Sequence, residues 1–136
     1  NFEIGKSIKL LEGKDITIFS TGSMVHNSLQ AAKKLNEKNI SSTVINMHTI
    51  KPLDIEAVEE ACSRSKMIVS VEEHNVIGGL GSAISEQKSK TSNSPKLLSI
   101  GIDDYYSKGG SYKFLLEKHS LTSDKIALNI LSNYNR

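Results

Sequence analysis

Tryptophan is absent from the chain, and aromatic residues make up only 5% of its 136 positions. A surface that stacks nucleic-acid bases needs aromatic faces beside basic groups. The formal net charge of +2 supplies no basic field either. Composition therefore gives no support for nucleic acid or a membrane surface as a partner. The single Cys62 leaves no internal disulfide, which fits a reducing compartment and makes the cytoplasm the default location. No apolar run approaches the ~20 residues of a membrane-spanning helix. Asn1 to Lys6 lacks the basic region and apolar core of a signal peptide. It also lacks an initiator methionine, so the chain reads as a section of a longer polypeptide or as one with a trimmed terminus.

What remains is enough for one domain with a real core: 38% apolar and 24% charged residues. Ser7 to Leu11 alternates as a short edge strand, and Glu12 to Asp15 forms a turn. Ile16 to Ser20 is a β-branched central strand, broken by Thr21-Gly22-Ser23. Val25, Leu29, Ala32 and Leu35 then recur at helical spacing. Thr43 to Met47 is the next strand. In the following helix, which runs to about Arg64, Asp54 is placed as N-cap and Leu53 as a staple onto Val58.

Met67 to Val71 is expected as a third central strand, followed by a polar loop and a helix whose face is Leu80, Ala83, Ile84 and Gln87. Lys88 to Pro95 reads as a solvated loop and Lys96 to Ile102 as a fourth central strand. A second polar loop, Asp103 to Gly110, precedes a short helix over Tyr112 to His119. A last helix starts near Thr122, with Leu121 stapled against Ile126. Strands alternating with helices predict an α/β domain with a mainly parallel sheet covered on both faces.

The segment Val71-Glu72-Glu73-His74-Asn75-Val76-Ile77-Gly78-Gly79-Leu80-Gly81-Ser82 concentrates the chemistry. Glycines at a helix start expose backbone N–H groups to an anion, and the helix dipole assists. They also permit positive φ and close helix–sheet packing. The pattern is neither G-x-G-x-x-G nor a Walker A loop. Glu72, Glu73 and His74 are the acid–base candidates, but neighbours on an extended chain point to opposite faces, so the two glutamates do not form a dyad. Surface ion pairs or loop hydrogen bonds account for them more economically. Thr21, Gly22 and Ser23 either add donors to an anion site or form an ordinary helix cap. His26, His48 and His119 are scattered and make no zinc-like spacing with Cys62. Asp103-Asp104 before two tyrosines reads as a solvated turn.

Taken together, these segments resemble the C-terminal domain of the transketolase family, which includes transketolases, deoxyxylulose-phosphate synthases and 2-oxo-acid dehydrogenase β subunits. The likeness spans 1–136, with 1–14 as the lead-in that carries the edge strand. It is carried by Val44 to Asp54 and by Val71 to Ser82, where Glu73-His74 followed by Gly78-Gly79-Leu80-Gly81 looks most like the transketolase branch.

The resemblance implies a three-layer α/β/α sandwich on a five-stranded mixed, mostly parallel sheet, with Ser7 to Leu11 antiparallel. It also places the strands ending at Ser20 and Glu72 side by side. It implies thiamine diphosphate and magnesium in the complete enzyme, held by other domains, and no cofactor, metal or catalytic residue in this chain. Partners would be the remaining domains or subunit, in a homodimer or heterotetramer. Thr21, Gly22, Ser23, Glu73, His74, Gly78, Gly79, Gly81 and Ser82 are the candidate anion or interface contacts. An assembly domain of a ketol-transferring enzyme, a regulatory anion- or phosphate-binding module, and a partner-docking domain of a synthase or dehydrogenase all remain open.

Overall fold

The computed structural model describes residues 2–92 and 94–134. The chain runs through β1 (Ile8–Leu11), β2 (Ile16–Ser20), α1 (Met24–Asn36), β3 (Ser42–Asn46), α2 (Ile55–Arg64) and β4 (Met67–Asn75). It continues with α3 (Leu80–Lys88), β5 (Lys96–Ile102), α4 (Tyr112–Lys118) and α5 (Ser123–Tyr134). The five strands form one sheet in the order β1-β3-β2-β4-β5. β1 runs antiparallel to β3, and the other pairings are parallel. The mixed sheet and its single antiparallel strand are as expected.

Strand alternation sorts the side chains into two cores. Ile16, Ile18, Val44, Val69 and Val71 pack with Met24, Ala31 and Leu35 of α1 and with Ile126 and Ile130 of α5. Phe19, Ile45 and Ile68 face the other way, onto Val58 and Ala61 of α2 and Leu80 and Ile84 of α3. A three-layer sandwich follows directly. Leu121 and Ile126 share the first core, and Leu53 packs with Val58 in the second, in keeping with both staples.

Two expectations change. β5 is not central: it closes one edge of the sheet, and most of its side chains stay partly exposed. Its run of apolar residues is explained by α5, which covers one face through Leu98 and Ile100. The stretch after Gln87 is not purely solvated either. Lys88 is buried at the end of α3, and its ammonium donates to Ser94 Oγ and the Pro95 carbonyl, drawing the turn onto the helix.

Asp54 does more than cap α2. Its carboxylate accepts from Ala57 N at 3.3 Å and from both the backbone N and Oγ of Ser7, at 2.7 and 2.8 Å. The segment leading into β1 is thereby tied to the helix. Burial pushes the carboxyl pKa up, but the Ser7 and Ala57 hydrogen bonds outweigh it and hold the group below its usual range.

Because the folded pKa lies below the unfolded value of about 3.9, the stabilisation is complete above that value. It is lost as pH falls through the lower folded pKa. Replacing Asp54 with Ala is expected to cost about 2 kcal/mol near neutral pH, from a lost cap and an unsatisfied Ser7 N–H. Urea titrations at pH 6 and at about pH 3 check this, with the gap between variant and parent narrowing in acid.

Candidate functional site

The sheet order creates a crevice. The connection from β2 steps to β3 through α1 on one face, whereas β3 returns past β2 to β4 through α2 on the other. The chain leaves β2 and β4 in opposite directions, and ligand sites of open α/β sheets lie outside the carboxyl ends at such a point. Here the crevice is an open cleft of about 320 Å³.

Thr21, Gly22, Ser23, Glu73, His74, Gly78 and Gly79 all line it, so the structure brings together two segments some fifty residues apart. Ser82 lines an adjoining depression, and Gly81, in the first turn of α3, is buried against Ser70 and Ser99. Ile50 and Glu72 also line the cleft, and neither was among the contacts expected from sequence.

Glu72 departs furthest from expectation. β4 does not stop at Val71: Asn75 still pairs with Ile102 of β5 across an irregular register, so both glutamates and His74 lie on strand. Glu72 points inward and is 1% exposed. Its two carboxylate oxygens accept from Leu80 N at 2.7 Å and from Gly81 N at 2.8 Å. A surface ion pair is therefore the wrong description. The residue is an internal cap for α3, supplying the anion that a helix N-terminus favours.

The glycines follow from this contact. A Cβ on Gly79 would lie 1.9 Å from Glu72 Oε2, and one on Gly81 would lie 2.6 Å from Ser99 Oγ and 2.7 Å from Ser70 Oγ. Gly78 turns the chain at φ +83°. The loop before it is fixed by Asn75, whose Oδ1 accepts from Ile77 N at 2.7 Å. The amide of Asn75 in turn donates to Asp104 at 3.1 Å.

Glu73 points the other way, as strand alternation requires. Its Oε2 accepts hydrogen bonds from Ser23 Oγ and, at 2.9 Å, from the Tyr112 hydroxyl. Ser23 is thus not an ordinary cap: it sits at the N-cap position of α1 in helical conformation and makes no side-chain cap bond. One carboxylate instead links β4, the start of α1 and the short helix α4. His74 is exposed, and its Nδ1 pairs with the Asn75 carbonyl at 2.8 Å, staying 3.9 Å from Glu72.

The Nδ1 of His74 is taken up by the Asn75 carbonyl, and among the described residues no group of three His, Cys, Asp or Glu side chains could hold a metal ion. The cleft does not suit a diphosphate cofactor. The two α3 amides best placed for a phosphate are already filled by Glu72, and Glu73 adds a second carboxylate.

A sheet of this order with an internally capped switch point defines a class of α/β domain, and comparison specifies which one. Residues 5–126 match the model of the family described as transketolase, C-terminal domain, and the chain belongs to that family. It is 41% identical over 131 residues to a putative transketolase C-terminal section of Methanocaldococcus jannaschii, spanning 96% of this chain and 40% of that protein. It is 38% identical to a 1-deoxy-D-xylulose-5-phosphate synthase of Dictyoglomus thermophilum, covering 96% of this chain and 21% of the synthase.

Among solved structures, a split-gene transketolase described as an inactive beta4 tetramer superposes with a TM-score of 0.92 at 35% identity. That match covers 98% of this chain and 44% of the other. A transketolase mutant from Pichia stipitis, at 19% identity and a TM-score of 0.72, shares the fold. The chain thus spans less than half the length of each of these relatives.

Two outcomes are expected. Glu72→Gln replaces one acceptor with a donor facing an amide, and should cost about 1–3 kcal/mol in urea unfolding. Amide exchange at Leu80 and Gly81 should accelerate with it, and unchanged protection there would contradict the capping role. Separately, the hydrogen bond to Glu73 raises the Tyr112 pKa above its usual value. An ultraviolet pH titration should show this tyrosine ionising late, and Glu73→Gln should bring it back toward about 10.

Proposed function

We propose that this chain is the assembly domain of a thiamine-diphosphate-dependent, transketolase-like enzyme that transfers two-carbon ketol units between sugar phosphates. The remaining domains or subunit would hold thiamine diphosphate and magnesium, and the complete enzyme would be a cytoplasmic homodimer or heterotetramer. The observation that carries this reading is the use made of Glu72. The buried carboxylate at the switch point is consumed in capping α3, which leaves the crevice with neither an open phosphate cradle nor an acid–base pair. The chain's share of its relatives' length, 40% in the archaeal section and 44% in the split-gene chain, leaves room for a separate cofactor-binding part.

The alternative of a regulatory anion- or phosphate-binding module draws less support from the geometry. An anion at Thr21 to Ser23 and Gly78 to Ser82 would share the cleft with Glu73, and the α3 amides would have to give up the Glu72 carboxylate to receive it. A partner-docking domain of a deoxyxylulose-phosphate synthase or a 2-oxo-acid dehydrogenase β subunit is a separate alternative, and failure to bind a peripheral subunit-binding domain would count against the dehydrogenase form of it. No described helix is long and apolar enough to cross a membrane.

Calorimetry of the purified chain with thiamine diphosphate and magnesium is expected to show no saturable heat. A coupled assay with a ketose-phosphate donor and an aldose-phosphate acceptor should show no turnover. Turnover by the chain alone would defeat the proposal, whereas turnover that appears on adding the cofactor-binding section supports it. Titration with inorganic phosphate decides the alternative: saturable binding that Gly79→Val abolishes would favour the anion module.

A further inference from the structure

The edge strand β1 is attached to the domain almost without apolar contact. Among the described residues both cores begin at Ile16, and β1 contributes nothing to either. Leu10 and Leu11 are 42% and 39% exposed, and only Ile8 of the strand is partly buried. The ladder to β3 is short, and its register is irregular between Lys9 and Leu11.

Charge takes the place of apolar contact. Glu56, Glu60 and Arg64 recur at i, i+4 spacing and so form one stripe along α2. Lys6, Lys9 and Glu12 answer it from the segment. Lys6 Nζ meets Glu56 at 2.8 Å, Lys9 Nζ meets Glu60 at 3.3 Å, and Arg64 meets Glu12 at 2.9 Å. Two more contacts close a ring, Lys9 with Glu12 at 2.9 Å and Arg64 with Glu60 at 2.5 Å. Strict strand alternation would point Lys9 and Glu12 to opposite faces, and the irregular register brings them to the same one.

The ring side chains are 36–54% exposed. Ion pairs this open to water contribute little each, and salt weakens them. Members of one network are coupled, so losing one contact loosens the others. The remaining ties are the ladder and hydrogen bonds near the two ends of the segment, from Ser7 to Asp54 and between Gly13 and Thr43. An element with few buried apolar contacts opens at a lower free energy than the whole domain.

We propose that Lys6 to Gly13 is a salt-released clasp, which opens as a unit while the rest of the domain stays folded. Opening bares the outer edge of β3, whose backbone N–H and C=O groups can then pair with another extended segment. The charges favour the chain's own strand in one register: a shift by one charged position sets Glu12 against Glu60.

The test is native-state hydrogen exchange of the purified chain, followed in Ile8–Leu11 and, as internal reference, in Ile16–Ser20. Amides of β1 are expected to exchange at least about tenfold faster than those of β2. Raising sodium chloride from about 0.05 M to about 1 M should speed β1 several-fold and leave β2 unchanged. Glu60→Lys, which replaces an anion of the ring with a third cation, should speed β1 by about tenfold and remove the salt response. Lys6→Glu should speed it less, and adding Glu56→Lys to that variant should restore the parent rate.

Unchanged exchange in β2 shows that a variant is folded. The parent's salt response decides the matter even where a variant fails to fold. Equal protection of β1 and β2 at every salt concentration overturns the clasp, because the segment would then open only with the whole domain. Salt-independent exchange of β1 overturns it as well, and so does a Lys6→Glu/Glu56→Lys pair that stays fast.

Discussion

The carboxylate of Glu72, held between the amides of Leu80 and Gly81, is the constraint on which the carboxyl end of this sheet depends. A helix start leaves backbone N–H groups without partners, and burying them unsatisfied costs free energy. The chain meets that demand from β4 itself. In return α3 must come close to the strand, and only glycine fits where it does: Gly79 against the carboxylate and Gly81 against Ser70 and Ser99. A motif that reads as a ligand loop is accounted for by one internal hydrogen-bonded contact.

The same strand geometry decides what Glu73 can do. With Glu72 turned into the protein, its neighbour must turn out, and there it meets hydroxyls from two separate elements. α4 has no buried residue, so its position depends on such polar links and on half-buried leucines. Two adjacent carboxylates thus serve opposite ends, one satisfying backbone donors in the interior and the other organising a surface.

Much of the architecture was legible because it is written in local periodicity. Val44 and Ile45 announce a strand covered on both sides, and Asp54 sits where a helix must be capped. Strand order was not legible this way, since it depends on which faces α1 and α2 cross; only the likeness to a family supplied it. Glu72 was missed for a similar reason. A glutamate beside a histidine and glycines reads as solvated, and its amide partners lie eight and nine positions downstream on another element. Tyr112 is thirty-nine residues from Glu73, a separation that no pattern in the sequence bridges. The edge position of β5 escaped notice because apolar content shows that a strand is buried, not from how many sides.

A crevice at a topological switch point arises from how the chain is threaded, so it exists whether or not anything binds there. What a crevice can hold is set by the groups that reach it. Open amides at both helix starts would make it an anion site. Here one start is filled by an internal carboxylate, and a second carboxylate stands at the other. A small anionic ligand would have to displace the first and approach the second, each step unfavourable. A protein surface faces neither obstacle, because it can bring its own cation to Glu73 and an apolar group to Ile50 on the cleft wall. Capping α3 from within therefore shifts the balance at this end of the sheet from a small anion toward a macromolecular partner.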